Sequence, residues 1–152
     1  MYTAVVVLLM GILPLASLLI EMAAMNNQAP LIDSAGKWFV FWAVGMRLFT
    51  AGLRQIVRPG LTSEGILGIE GKEAWQLVRE LGFANVGIGL IAIVSLWQPG
   101  WRSAAALAGG LFLLLAGLEH ARKQQRNYEE NLATYSDLLI GSLMAIYVVT
   151  RL

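Results

Sequence analysis

The chain has 152 residues, 57% of them hydrophobic and 14% charged, with a net charge of +1 and no cysteine. That balance offers no basic stripe for nucleic acid, and the missing thiols exclude disulfides, thiol relays, iron–sulfur clusters and cysteine-held zinc. With a mean hydropathy of +0.65 and single-domain length, residues 1–152 read as one all-α, integral membrane domain.

Five apolar stretches, 2–25, 37–57, 81–97, 101–121 and 133–152, carry most of the chain. Each is close to the roughly 20 helical residues that cross a bilayer core. The first lacks a basic leader, and its apolar run up to Glu21 exceeds the usual signal-peptide core, so a span is expected there. Pro14 predicts a kink within it, with the freed carbonyl met by a neighbour. Glu21 reads as an interfacial carboxylate.

Arg58-Pro59-Gly60 stops the second stretch. From Lys72 onward, Ala74, Trp75, Leu77, Val78 and Leu81 recur at helical spacing opposite Lys72, Glu73, Gln76, Arg79 and Glu80. This pattern predicts an amphipathic interfacial helix over 72–80, a membrane-proximal anchor or a docking site for a partner, running into the third span. Gln98-Pro99-Gly100 separates the third and fourth stretches. Over 119–131, Glu119/Lys123 and Arg126/Glu130 stand at i,i+4, which predicts short helical extensions around a solvated hairpin.

Five spans put the termini on opposite sides. The N-terminal side then carries Arg54, Arg58, Lys72, Arg79, Arg122, Lys123 and Arg126, against Lys37, Arg102 and Arg151 on the other. This bias predicts a multi-pass protein of the cell (inner) membrane with a cytoplasmic N-terminus and an external C-terminus. Trp38, Trp42, Trp97 and Trp101 would lie near the outer interface and Trp75 near the inner one, although Trp42 could equally fill a gap between helices.

Arg47 stands at the centre of the second stretch, where insertion scales put its cost at about 2.5–3.5 kcal/mol unless a partner or water meets it. Arg54 follows at i+7 on the same face. At about 1.5 Å per residue, Asn85, Glu119 and Asp137 fall at depths that could answer these charges. The expectation is a charge-compensated cluster of Arg47, Arg54, Asn85, Glu119 and Asp137 in the cytoplasmic half, either a binding pocket or a packed ion-pair network. His120 reads as a solvated, interfacial imidazole. No paired Glu-x-x-His spacing suggests a metal, and no strained serine turn suggests a nucleophile.

Small residues recur at close-packing intervals: Gly45 and Gly52, Gly82 and Gly89, and Ala105, Ala106, Gly109, Gly110 and Gly117. They would close the bundle or, through Ala106, Gly110 and Gly117, pair two copies.

The runs GKWFVFWAVGMRLFTAGLRQIVRP (36–59), EGILGIEGKEAWQLVRELGFANVGIGL (64–90), LAGGLFLLLAGLEH (107–120) and YSDLL (135–139) resemble a family of small prokaryotic membrane proteins of unknown function. That resemblance supports the topology and implies no chemistry. A fainter likeness is to DoxX-like proteins, four-helix membrane proteins in which an arginine precedes a glycine, as Arg47 precedes Gly52. Some of these are linked to quinone reduction or thiol redox; this chain differs in its extra N-terminal span and its lack of cysteine.

These features lead to an accessory or binding protein for a lipid-soluble ligand, a quinone or a lipid, beside Arg47. No catalytic signature and no obligatory cofactor is expected. The alternatives are an oligomeric proton-coupled transporter or channel, a membrane enzyme using Glu119 or Asp137 as acid or base, and a purely structural membrane subunit.

Overall fold

The computed structural model describes residues 2–26, 28, 30–65 and 68–151. Among them the chain is helical, without strands. Helix α1 is Tyr2–Ala24 and α2 spans 31–57. A single turn, α3, is Gly60–Ser63. Helices α4 (Lys72–Val94), α5 (Arg102–Arg122) and α6 (Tyr128–Val149) complete the bundle.

Four segments are long and apolar enough to cross a membrane: Tyr2–Ala24, Lys72–Val94, Pro99–Arg122 and Tyr128–Val149. Large apolar side chains cover their outer faces, as at Leu19, Leu111 and Leu139. A water-soluble bundle hides such residues, so four apolar helices with these outer faces point to a membrane protein. The expected second span is not among the four. Lys37, Arg47 and Arg54 lower its hydropathy, and its neighbours bury Val40, Ala43, Val44 and Leu48 completely or nearly so.

Helix ends differ from expectation for local reasons. The second helix starts at Leu31 rather than 37, after Pro30. The expected interfacial helix over 72–80 is not separate: nothing between Lys72 and Val94 breaks the backbone ladder, so one continuous helix holds both. The last helix begins at Tyr128 rather than 133 because the Asn127 side chain caps it, accepting from the Glu130 amide at 2.8 Å. Its expected end at Leu152 lies outside the described residues.

The short helical extensions expected around a hairpin over 119–131 are present, with α5 running to Arg122 and α6 starting at Tyr128. Helix α5 stops at Arg122, and Arg126 Nη1 donates to the exposed carbonyls of His120 and Ala121 at 3.1 and 3.0 Å. The expected i,i+4 pairs give way to Arg122–Glu119 at 3.0 Å and Lys123–Glu130 at 2.8 Å.

At the opposite end of the bundle, Lys37 Nζ donates to Glu21 Oε1 at 2.7 Å and Trp38 Nε1 to Glu21 Oε2. Glu21 thus latches α1 to α2. Trp42 Nε1 donates to Ser17 Oγ at 3.0 Å, the gap-filling role. Trp97 and Trp101 remain exposed beside their turn, and Arg151 pairs with Asp33.

Two π-helical segments interrupt the first two helices, Leu8–Ile12 and Val40–Met46. Pro14 follows the first, where the widened ladder accommodates a ring that cannot donate. Small residues close the bundle from within. Gly110 faces Met144, Gly117 faces Leu138, and Ala106 is fully buried. Packing inside the chain involves all three, the bundle-closing role of the two expected for them.

Candidate ligand-binding cavity

The second π segment ends where the site begins. A π turn adds a residue to the helical period, so Val44 and Gly45 within it and Arg47 and Leu48 just after it all turn inward. Arg47 is 9% exposed. Helix α2 then continues one polar face through Thr50, Arg54 and Gln55.

This face borders a cavity of about 220 Å³ closed by α1, α4, α5 and α6, with Thr62 beside it. Arg47, Arg54, Asn85 and Asp137 all line it. The expected cluster is therefore assembled, except for Glu119. That carboxylate points away from the bundle and pairs with Arg122, its side chain 74% exposed. One residue further on, a rotation of about 100° brings His120 to the cavity wall instead.

His120 was expected in solvent, and here its side chain is only 16% exposed. Its Nδ1 lies 3.1 Å from Oε1 of Glu130, which is itself buried and also bonded to Lys123. Glu130 is the buried acid of the hairpin, while Glu119, expected in the Arg47 cluster, is exposed.

The charges share the cavity without pairing. Among the described residues, no carboxylate lies at ion-pair distance from Arg47 or Arg54, and no cation from Asp137. The neutralised ion-pair set is thus corrected to separated charges around a common space. Arg47 Nη2 instead donates to the Tyr2 hydroxyl at 3.1 Å. The guanidinium carbons of Arg47 and Arg54 stand 5.5 and 5.7 Å from the Tyr2 ring, within cation–π range. Asn85 Nδ2 donates to Gln55 Oε1 at 2.8 Å.

Four buried polar atoms here have no hydrogen-bond partner in the protein: Arg47 Nε, Arg54 Nε, Asn85 Oδ1 and Asp137 Oδ1. A buried polar group left unsatisfied costs about 1–3 kcal/mol, more when charged. Donors and acceptors are both present, so the site can bind a group that both accepts and donates. Among the described residues, no three His, Asp or Glu side chains converge as a metal site.

Tyr2, Gln55 and His120 escape a reading of the sequence. Gln55 had a signal, since it lies at i+8 from Arg47 on the same face. His120 had a weak one, as the single histidine at the end of an apolar helix. Tyr2 had none, because its place depends on how α1 docks.

The fold and this cavity define a helical bundle with a polar chamber inside it and four helices long and apolar enough to cross a membrane. The chain belongs to DUF6790, a family of unknown function, whose family model matches residues 1–151. No similar protein was found among curated proteins, and no similar chain among solved structures.

Proposed function

We propose that all five long helices cross the cell membrane, with the N-terminus in the cytoplasm, and that the cavity binds the polar head of a lipid-soluble ligand, a lipid or a quinone. Supporting the five-span reading, α2 is long enough and its two arginines turn inward rather than to the outer surface. The seven basic residues at the cavity end, against three at the other, favour this orientation.

The observation that carries the binding role is the set of unpartnered buried atoms on Arg47, Asn85 and Asp137 around one space. A packed structural network would have closed these groups on each other. The volume is informative too. At about 220 Å³ it exceeds an engineered cavity of about 150 Å³ that admits benzene, and falls short of the roughly 300–1,000 Å³ of drug-sized sites. It suits a headgroup or one ring, with the tail outside. The likeness to DoxX-like proteins keeps a quinone ring within that class.

Mass spectrometry of lipids copurifying in mild detergent tests the proposal. Arg47→Leu and Arg47→Gln should each lower one specific species about tenfold or more, the effect of removing a charged hydrogen-bond donor worth about 1.5–3 kcal/mol. Identical lipid profiles in wild type and both variants would refute it.

A further inference from the structure

We propose that the cavity takes a zwitterionic headgroup, a phosphodiester with a primary ammonium two carbons away, the phosphate facing Arg47 and Arg54 and the ammonium facing Asp137. This rests on the ligand-binding reading above and names the chemistry of the ligand's head.

The charge layout carries the inference. Arg47 and Arg54 are seven residues apart on one helix, yet both guanidinium groups converge on the Tyr2 ring. They form one cationic wall. Asp137 supplies the anionic wall from α6, 6% exposed, with Oδ1 unpartnered. The walls share the cavity without touching as ion pairs. The other groups that face the space are the Tyr2 hydroxyl, the Gln55–Asn85 amide pair, Thr62 and His120, the last committed to Glu130.

A neutral ring leaves both walls uncompensated. A simple anion meets the arginines and worsens the environment of Asp137, and a simple cation does the reverse. A head carrying both charges answers each wall at once. A primary ammonium offers three N–H donors to Asp137 Oδ1 and Asn85 Oδ1, the two open acceptors. A trimethylated ammonium is bulkier and offers none. Guanidinium groups suit phosphate oxygens through their planar array of donors.

The opening favours an amphiphile over a soluble ligand. Val5 lines the cavity and is also exposed on the outer, apolar surface, while Thr50, Ala51 and Arg54 beside it are half-buried. The mouth therefore lies between α1 and α2, where acyl chains can leave sideways along exposed Leu53 and Val57.

Native mass spectrometry of the full chain, equilibrated with ethanolamine, choline and glycerol phospholipids of matched acyl chains, tests this. Wild type should favour the ethanolamine lipid over the other two about tenfold or more. Asp137→Asn should bind all three with that preference lost, Asp137→Glu should keep it, and Arg47→Gln should weaken all three together. Equal binding of the three lipids by wild type, or an ethanolamine preference that survives in Asp137→Asn, would overturn the proposal. Failure to bind any lipid or quinone would instead overturn the ligand-binding reading beneath it. Tail-free glycerophosphoethanolamine separates the sources. Much weaker binding than the lipid supports a membrane ligand, whereas equal binding overturns the membrane source.

Discussion

Gly89→Leu is expected to destroy the packing of α2 on α4, while Gly87→Leu, two residues away, is expected to be nearly silent. A Cβ at Gly89 would stand 2.6 Å from the Phe49 backbone nitrogen and 2.9 Å from the Gly45 carbonyl oxygen. Both are main-chain atoms of a packed helix and cannot swing aside. Gly82 repeats the arrangement two turns earlier, where a Cβ would lie 2.9 Å from the Gly52 carbonyl oxygen. Close backbone approach of this kind drives helix association in lipid, because no hydrophobic force separates one apolar surface from another there. Overpacking costs about 1–3 kcal/mol in ordinary cores, and backbone against backbone belongs at or above the upper end of that range. Gly87 is exposed and has no atom within 4 Å of its would-be Cβ. Denaturant midpoints of the two variants in the same detergent decide the matter. Equal midpoints would mean that α2 and α4 do not meet through these glycines.

The second large effect is a rescue. Arg47→Met removes the inner cation and leaves Asp137, itself 6% exposed, with less compensating charge. Although the two groups do not touch, they face one buried space. Stripping one charge from a buried set is costly because the remaining charge stays desolvated. Adding Asp137→Asn should therefore recover stability, with a coupling of about 1–3 kcal/mol in a double-mutant cycle. Ligand binding should be weakened by Arg47→Met whether or not Asp137→Asn is present. Additive single effects would show that the two side chains do not share one low-dielectric space.

Much of the bundle can be read from residue order, and the failures have a common cause. The apolar runs place the first, fourth and fifth helices within a few residues, because length and hydropathy are local properties. Depth counting groups Arg47, Arg54, Asn85 and Asp137 in one half of the bundle, and all four line the cavity. The same counting puts Glu119 among them wrongly. Depth says nothing about direction around the axis, and α5 is apolar on all sides, so no polar stripe distinguishes Glu119 from His120. The π segment before Arg47 is equally silent in the sequence, and it sets which side chains of α2 turn inward. Tyr2 and the Glu130–His120 contact depend on tertiary docking alone. The N-cap at Asn127 was legible in principle, since Asn127 stands three residues before Glu130, the side-chain order that starts a helix.

The central claim is that a polar head sits beside Arg47 and its tail leaves between the first two helices. Photocrosslinking reads this most directly, using a phospholipid with a diazirine on the acyl carbons nearest its head, followed by peptide mapping of the adducts. Adducts concentrated at Val5, Thr50 and Ala51, and lost in Arg47→Gln, are the predicted result. Labelling confined to the outward ridges at Leu107, Leu111 and Leu139, and unchanged in the variant, would contradict it.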